Sequence, residues 1–394
     1  MNIINIFIGI ISINLQIIKI ENNYDEVTIM YIPILKNRQQ ELTVIKNMNS
    51  FFGSSIIPLI EVIKDEYKPN YKRDENGEFI YEKKKKKRMR VKDKPTDQDI
   101  ITLDKIQKLL NGKKAFIDFF RFSDTEYDNK IYNGVETSLK LRAFDYYRKR
   151  LLEIGNHPFL VPVISIKENF TLSDYDLVKL INDLKKDNSS IAIRLTDEFL
   201  GKYYELLQNN LSENDYIMLD IREQNVDSKF MELDEFRDLE TDAKKILLNS
   251  PRLRKMNNGK YENLQFTDKI NNKVAEIYKD YELDGFGDFG GLKDDLPVDG
   301  GKNIGAALAL IYFKDENAFF SIVNYDTNLG FYGFEYIKNE IFKRLDFFDK
   351  DNDCLAIQKI KTMNGNGNWK TWITITLTRY IHQQAKRLQE EIKK

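Results

Sequence analysis

The sequence predicts an α/β fold, because eight short apolar segments alternate along the chain with segments that have a helical pattern of apolar residues. Charged or polar residues occur at the carboxyl ends of these segments. Eight such units is the number that closes a (β/α)8 barrel of the TIM type, in which the chemistry gathers at the carboxyl ends of the strands. The predicted strands are residues 30–36, 56–64, 115–121, 159–167, 191–195, 216–223, 245–251 and 284–291.

Helices are predicted between these strands from apolar periodicity and from capping residues. Residues 38–48 form an amphipathic pattern directly after the first strand. Thr96 with Asp99, and Ser173 with Asp176, have the spacing of residues that cap the start of a helix. The seventh strand is the least certain, because its apolar residues could equally end the helix before it. Further crossover helices are predicted at residues 198–211, 233–244 and 267–281.

The pattern changes after residue 291. Residues 306–313 and 318–325 alternate like two antiparallel strands joined by a short turn. Helices are predicted at residues 334–345, 354–363 and 370–394, although the last segment begins with a strand-like alternation. The predicted organisation is a barrel over residues 30–291 that carries a polar insertion at 65–94, followed by a C-terminal α+β extension over 292–394.

The composition restricts the class of protein and the kinds of site. Hydrophobic residues make up 42% and charged residues 31% of the 394 residues, which is typical of a globular protein. The net charge of −1 excludes a uniformly basic nucleic-acid binder. Cys354 is the single cysteine, which excludes internal disulfides and predicts a reducing, cytoplasmic compartment. One cysteine and two histidines also exclude a structural zinc site, so any bound metal would be Mg²⁺ or Mn²⁺ held by carboxylates.

Residues 1–29 precede the barrel pattern. No basic segment begins the isoleucine-rich residues 1–20 and no small-residue cleavage site follows them, which argues against a secretory signal. Amide side chains in that stretch argue against a membrane anchor, although its length leaves an anchor open. Because Asp25, Glu26 and Val27 can be encoded by a purine-rich stretch resembling a ribosome-binding site, we favour Met30 as the native start.

Cations follow several of the predicted strands. If the barrel closes, several of them converge on one mouth, where they would bind a phosphate or carboxylate group, including that of a nucleotide. Alternatively, they face solvent or pair with neighbouring acids, and residues of the wrong parity would point towards the helices. These candidate anion-binding residues are Lys36, Lys64, Arg121, Lys167, Arg194 and Arg222.

Acidic residues interrupt four of the predicted strands near their carboxyl ends. A buried charge is unfavourable without a partner, so their presence there requires an explanation. They could act as general acids and bases or bind a divalent metal ion, which would suit a metal-dependent phosphodiesterase or other hydrolase. Alternatively, they pair with the strand cations and fasten the mouth. These candidate catalytic residues are Glu61, Asp118, Asp220 and Asp288.

A dense basic run lies in the insertion that follows the second strand. Flexible polycations bind the phosphate backbone of nucleic acids without reading its sequence, and nearby aromatic residues could stack on bases. The alternative is a solvated, disordered loop in a lysine-rich chain. The candidate nucleic-acid-binding residues are Lys83, Lys84, Lys85, Lys86, Lys87, Arg88, Arg90 and Lys92.

Other conspicuous residues carry weaker indications. The glycine-rich segment 284–291 (DGFGDFGG) resembles a phosphate-binding loop only in position, since its spacing matches no known fingerprint. His157 and Cys354 are interpreted as structural, whereas His382 could have either role.

The sequence resembles the Beta protein family of phages and bacteria. The resemblance rests on residues 30–41 (MYIPILKNRQQE), on the segments IIPLIEVIK, IAIRL, YIMLDIRE and DGFGDFGG, and on Trp369-Lys370 and Tyr380-Ile381-His382. It extends from Met30 to about His382, whereas residues 1–29 and the basic insertion depart from the family pattern. Bacterial members of this family often occur among mobile-element and antiviral-defence genes, so the resemblance implies a context and not a reaction.

Three functions remain open at this point. The leading hypothesis is a cytoplasmic phage-defence or mobile-element protein that binds nucleic acid or a nucleotide at the barrel mouth. The second is a divalent-metal-dependent hydrolase acting on a phosphodiester or a phosphorylated small molecule. The third is a barrel without catalytic activity that serves as a scaffold for a partner protein from a defence system.

Overall fold

The computed structural model describes residues 29–84, 87–123, 136–252, 260–294 and 305–392. The predicted extension up to residue 28 and two residues of the basic run, Lys85 and Lys86, lie outside these ranges. Within the described ranges, no helix combines the length and the apolar content that a membrane-spanning segment requires.

Eight parallel strands form a closed barrel, and each one pairs with the next along the chain. The last strand closes the barrel on the first, with Met30 opposite Gly285 and Pro33 opposite Asp288. In chain order the described strands are β1 (Met30–Lys36), β2 (Leu59–Val62), β3 (Tyr81–Lys84), β4 (Lys87–Arg90), β5 (Ala115–Phe119), β6 (Leu160–Ile166), β7 (Ala192–Thr196), β8 (Tyr216–Asp220), β9 (Lys244–Asn249), β10 (Gln265–Phe266), β11 (Gly285–Asp288), β12 (Ala307–Phe313) and β13 (Ala318–Asn324). The barrel consists of β1, β2, β5, β6, β7, β8, β9 and β11, which confirms the predicted fold class.

Helices occupy the connections between the barrel strands and most of the C-terminal part. Ser173 caps its helix as predicted, since its hydroxyl accepts a hydrogen bond from the Asp176 amide at 3.1 Å. The Thr96 and Asp99 pair forms the predicted capping box, but it opens a short 3-10 turn ahead of the helix. The described α-helices are α1 (Gln39–Asn47), α2 (Thr102–Leu110), α3 (Glu136–Lys140), α4 (Phe144–Glu153), α5 (Asp174–Leu184), α6 (Leu200–Asn210), α7 (Phe230–Asp238), α8 (Val274–Ile277), α9 (Gly333–Phe342), α10 (Leu345–Phe348), α11 (Leu355–Thr362) and α12 (Trp369–Ile392).

Two of the predicted crossover helices are wrong in extent. The helix predicted at 233–244 ends at Asp238, because Lys244 already belongs to strand β9, whose backbone pairs with β8 and β11. The helix predicted at 267–281 is reduced to the four residues of α8. The chain just before residue 267 instead forms β10, which pairs with β13 of the C-terminal part. Long-range strand pairing therefore overrides the local helical pattern there.

The barrel strands are buried on both faces, as expected for a parallel sheet that is covered by helices. Alternate residues point inwards and form a central core, whereas the residues between them pack against the helices. The inward-pointing core contains Met30, Ile32, Ile34, Ile57, Leu59, Phe116, Val161, Val163, Ala192, Tyr216, Met218, Ile246, Leu248 and Phe289.

The C-terminal part packs directly on the barrel wall. Strands β12 and β13 pair antiparallel, as predicted, and β10 joins them at the β13 edge. The long helix α12 is confirmed as a helix and contacts β1, α1 and β12. Tyr380 of α12 donates a hydrogen bond from its hydroxyl to Asp288 of β11 at 2.6 Å. The C-terminal helix is therefore anchored on the outer face of the last barrel strand.

Two glycines after β11 allow this close contact. Gly290 and Gly291 have φ angles of +61° and +79°, a region that residues with a side chain rarely adopt. A Cβ atom would lie 2.7 Å from Leu377 at the first position and 2.7 Å from Tyr380 at the second. These glycines therefore allow the close packing of α12 against the end of the barrel.

Replacement of Gly291 by alanine tests this packing role. We expect Gly291→Ala to lower the free energy of unfolding by about 2–4 kcal/mol, because it combines a left-handed backbone with a side-chain clash. Gly305→Ala is the matched control, since a Cβ atom there meets nothing within 4 Å. Urea denaturation of both variants measures the difference, and equal stabilities would contradict the packing role.

Candidate functional site at the barrel mouth

Charged residues continue the inward-pointing rows of the barrel core at the carboxyl ends of the strands. Because side chains alternate, residues two positions after an inward apolar residue also point inwards. By this rule Lys36 follows Ile34, Glu61 follows Leu59, Asp118 follows Phe116, Arg194 follows Ala192 and Asp220 follows Met218. All five charged residues are at least 95% buried. The interior of the barrel therefore ends in a layer of charges.

Arg194 lies at the centre of this layer and bonds carboxylates from three other strands. Its Nη1 atom is 2.8 Å from Glu61 Oε1 and 2.9 Å from Asp118 Oδ2. Its Nε and Nη2 atoms lie 3.0 Å and 2.7 Å from Asp220 Oδ2. A planar guanidinium is suited to such a site, because its five donors are held in a fixed fork.

A second group of ion pairs links the layer to the segment after the barrel. Lys36 Nζ lies 2.7 Å from Glu61 Oε2 and 3.1 Å from Asp294 Oδ1. Arg222 Nη2 lies 2.7 Å from the other carboxylate oxygen of Asp294. Asp294 is 2% exposed and was not among the predicted site residues, because it follows the last strand, where no periodicity marks it. We call these seven residues the mouth cluster: Lys36, Glu61, Asp118, Arg194, Asp220, Arg222 and Asp294.

Burial and neighbouring charges shift the pKa values of two acids of the mouth cluster, Glu61 and Asp118, in opposite directions. Burial alone would raise the pKa of Glu61, but the charges of Lys36 and Arg194 lower it below its ordinary value. Burial raises the pKa of Asp118 above its ordinary value, although Arg194 opposes this rise. The Oδ1 atom of Asp118 is buried and has no hydrogen-bond partner among the described residues. Burial therefore favours the protonated form of Asp118, whereas the neighbouring cations favour the charged form of Glu61.

Two more of the predicted cations lie beside the mouth cluster. The Arg121 guanidinium stacks 3.8 Å from the Tyr147 ring centre and donates to the Ser165 carbonyl at 2.5 Å. Lys167 Nζ lies 4.4 Å from the Phe120 ring centre. Both residues border a recess with Asp118, Arg194, Asp220 and Arg222, and its volume of about 20 Å³ holds about one water molecule. A nucleotide does not fit in the recess in this arrangement.

Lys64 and Asp288 lie apart from the mouth cluster. Lys64 is half-buried, and its backbone carbonyl accepts a hydrogen bond from Asn37 Nδ2 at 2.6 Å. Asp288 is on the outer face of β11, where it accepts hydrogen bonds from the hydroxyls of Tyr31 and Tyr380 at 2.8 and 2.6 Å. The structure therefore brings together three of the four predicted acids and five of the six predicted cations.

The acids at the mouth surround a guanidinium and leave no place between them for the expected divalent metal ion. Glu61, Asp118 and Asp220 direct their carboxylates at Arg194, so its guanidinium fills the position that a shared metal ion would need. Within the described ranges, no group of three or more histidine, cysteine or acidic side chains is arranged to hold a metal. The residues at the mouth therefore do not fit Mg²⁺ or Mn²⁺ while Arg194 is in place.

The histidines and the cysteine lie elsewhere in the molecule. His157 precedes β6, at the end of the barrel opposite the mouth, and Cys354 is buried in the core of the C-terminal part. His382 is buried on α12, where its ring packs edge-on against Phe51 at 5.5 Å. Burial lowers the pKa of His382, which keeps the ring neutral at pH 7.

The basic run forms part of an ordered β-hairpin. Strands β3 and β4 pair antiparallel, with Tyr81 opposite Arg90 and Lys83 opposite Arg88. Backbone hydrogen bonds join residue 72 to residues 80 and 91, which adds a third segment to the hairpin. The alternative of a disordered loop is therefore wrong for the described residues of the insertion.

One face of this hairpin combines cations with aromatic rings. Arg88 stacks 4.2 Å from the ring centre of Tyr81, and Arg90 stacks 4.1 Å from that of Phe79. Lys83 lies on the same face, because it is opposite Arg88 and two residues from Tyr81. Arg73, which was not among the predicted residues, stacks on the Phe79 ring at 4.0 Å. We call this surface the ribbon face, defined by Arg73, Phe79, Tyr81, Lys83, Arg88 and Arg90.

Replacement of Arg194 tests the mouth cluster. We expect Arg194→Leu to lower the free energy of unfolding at pH 7 by about 3–5 kcal/mol, because three buried carboxylates lose a shared counter-ion. Uncompensated buried acids have pKa values above those of the unfolded chain, so part of the loss should be recovered as the pH falls towards 4. Arg148→Leu is the control: its partner Asp183 lies near the surface, so its loss should cost about 1 kcal/mol or less. Equal losses in denaturation curves would contradict the central role of Arg194.

The burial of Asp288 predicts that the stability of the protein depends on pH. Burial raises its pKa to about 6, although the carboxylate accepts three hydrogen bonds. The folded pKa exceeds the unfolded value, so the contribution of Asp288 to stability is complete below about pH 4 and falls as the pH rises through 6. Between pH 4 and 7, Asp288→Asn should therefore gain about 3 kcal/mol relative to the parent protein. Chemical denaturation at both pH values checks this, and a difference that does not vary with pH would contradict it.

Comparison with known proteins places the chain in a family. No curated protein matches it. A family model described as Beta protein matches residues 31–386, which covers nearly the whole chain: β1 from its second residue, the other barrel strands in full, and most of α12. The predicted resemblance is thus confirmed, and the chain belongs to the Beta protein family.

Proposed function

We propose that this protein binds nucleic acid through the ribbon face, and that it acts in the cytoplasm as a phage-defence or mobile-element protein. The observation that carries the proposal is an ordered hairpin with cations and aromatic rings on one exposed face. Between Tyr81 and Lys94 the sequence has nine lysines and arginines against two acidic residues, in a chain of net charge −1. The positive charge is therefore local, as a contact surface for a polyanion requires.

The strand pairing of the hairpin favours a polyanionic partner. Lys83 is opposite Arg88, and like charges directly opposite each other destabilise a hairpin. The residues around this pair are exposed, and a small sheet without a buried face is at best marginally stable in water, so the pair works against its folding. Phosphate groups placed between the like charges would remove the repulsion. Binding of nucleic acid would thus stabilise the surface that contacts it.

The aromatic residues favour single-stranded over duplex nucleic acid. Tyr81 is 41% exposed and lies beside Phe79, Lys83 and Arg88 around an open groove. Unpaired bases stack on such rings, whereas the bases of a duplex are already stacked on each other. Arginines next to the rings can contact phosphates while they remain stacked on the aromatic surface.

The ion pairs of the mouth cluster make the ribbon face a better site for nucleic acid than the interior of the barrel. Its cations Lys36, Arg194 and Arg222 each bond to buried carboxylates, and the recess beside them holds about one water molecule. An incoming phosphate would compete with these carboxylates for the cations. The hairpin cations Lys83, Lys87, Arg88 and Arg90 are exposed, so a phosphate can reach them without breaking a buried ion pair. Membership of the Beta protein family is consistent with a defence or mobile-element context.

Neutralising the ribbon face tests the proposal. We expect the variant with Lys83, Lys87, Arg88 and Arg90 replaced by glutamine to lose most affinity for single-stranded RNA or DNA. It should also lower the slope of log K against log salt by about 3, since each lost phosphate contact removes about 0.7. Fluorescence anisotropy at several salt concentrations measures both quantities.

Matched controls separate this surface from the rest of the protein. Lys46, Lys108, Lys179 and Lys202 are exposed on barrel helices, and their replacement by glutamine changes the net charge equally. This variant should bind like the parent protein. Tyr81→Ser should weaken binding about fivefold or more, whereas Tyr175→Ser, at a tyrosine that is 73% exposed on α5, should not. No binding by the parent protein, or equal effects of the paired variants, would overturn the proposal.

A further inference from the structure

A cleft larger than the recess at the mouth lies between the barrel and the C-terminal part. Its volume is about 410 Å³, which is within the range of small-molecule sites. Arg38 contributes from the segment after β1, Arg252 from the segment after β9, and Lys293 from the segment after β11. Strand β12 and the first two turns of α12 form the remaining wall. The cleft is thus built mainly by segments that follow barrel strands and by the C-terminal part.

The walls of the cleft combine an apolar surface with positive charge. Leu308, Leu310 and Trp372 are more than 90% buried, and Trp369 is half-buried beside them. Among the described residues that line the cleft, Arg38, Arg252 and Lys293 are the cations and Glu41 is the acid. Glu41 already accepts hydrogen bonds from the Lys36 amide and from Arg38. The charged lining is therefore positive overall, which favours an anionic ligand.

Arg252 is a buried residue that is fixed in the wall of the cleft. It is 92% buried and donates to the Gly291 carbonyl and to the Tyr261 hydroxyl, both at 2.9 Å. Its Nε atom is buried and has no hydrogen-bond partner among the described residues. A buried guanidinium that keeps one donor unused is costly unless a further acceptor is supplied. The Gly291 carbonyl and the Tyr261 hydroxyl hold the guanidinium in place at the wall of the cleft.

Two helices begin at this cleft. Arg38, Gln40 and Glu41 belong to the start of α1, and Trp369, Trp372 and Ile373 belong to the start of α12. The amino end of a helix carries a partial positive charge that attracts anions, although the Asn368 side chain already accepts from the Lys370 and Thr371 amides at the start of α12. The two helix ends reinforce the charge of the three cations.

We infer that this cleft binds a planar aromatic ligand that carries a phosphate, the shared chemistry of a free nucleotide and of a terminal nucleotide of a nucleic acid. The Trp369 ring and Ile373, which keep exposed surface in the cleft, would contact the base, and the cations would contact the phosphate. The site is separate from the ribbon face and does not rest on nucleic-acid binding there.

The two tryptophans of the chain provide the measurement, since both line the cleft. The four ribonucleoside diphosphates and a 5′-phosphorylated oligonucleotide are titrated into the full-length protein while tryptophan fluorescence is followed. We expect a saturable change with at least one of these probes. The matching nucleoside and inorganic pyrophosphate should each bind at least about tenfold more weakly, because each lacks half of the recognised chemistry. Saturation by a diphosphate identifies a free nucleotide as the ligand, and saturation by the oligonucleotide alone identifies a chain end.

Variants distinguish this site from the ribbon face. Arg38→Gln combined with Lys293→Gln should weaken binding about tenfold or more, whereas Lys46→Gln combined with Lys108→Gln, at exposed helix positions, should leave it unchanged. The ribbon-face variant should retain the fluorescence change even if it no longer binds single-stranded nucleic acid. The inference is overturned if neither the diphosphates nor the oligonucleotide changes the fluorescence. It is also overturned if the cleft variant binds as tightly as its control.

Discussion

The structure depends on one interaction in the barrel interior, the contact of Arg194 with Glu61, Asp118 and Asp220. These four residues come from four strands, so the guanidinium fixes the relative position of both sides of the barrel at its mouth. Each charge is tolerated in the interior only because the others are present. Lys36, Arg222 and Asp294 extend the same network to the segment that leaves the barrel. The mouth is thereby closed from within by compensated charges.

A second constraint makes the C-terminal helix part of the barrel wall. Asp288 accepts hydrogen bonds from Tyr31 on the neighbouring strand and from Tyr380 on α12, and Tyr380 also accepts one from Asn272 at 2.7 Å. Gly291 lets the chain pass close to the Tyr380 ring. The last barrel strand and the C-terminal helix therefore share a buried contact. It is consistent with this packing that the family match continues to residue 386.

The sequence was sufficient for the barrel because its strands are buried on both faces, and continuous apolar runs such as that of β6 are visible without an alignment. It also proposed the mouth residues as strand-end charges, but it left their direction open, and the structure settles the direction by placing the apolar residues before Arg194 and Asp118 on the inner face. The role of Asp294 was not visible, because it depends on a contact with Lys36 across 258 positions of the chain. Asp288 was grouped with the other acids because the glycine-rich sequence of β11 does not reveal which face of the strand Asp288 occupies. The helix predicted at 267–281 is reduced to α8 for a similar reason: the pairing of β10 with β13 is non-local, and no local sequence pattern reveals it.

Closure of the mouth by internal ion pairs has a consequence for where ligands can bind. In most barrels of this type the strand ends themselves carry the chemistry. Here the cations of the mouth cluster are held by carboxylates, and a ligand would have to compensate for every ion pair that it broke. The longer segments after the strands also carry cations: the hairpin after β2, and Arg38, Arg252 and Lys293 after β1, β9 and β11. The same end of the barrel is thus used in a different way, with the interior stabilising the fold and the surrounding segments presenting positive charge and aromatic rings outwards.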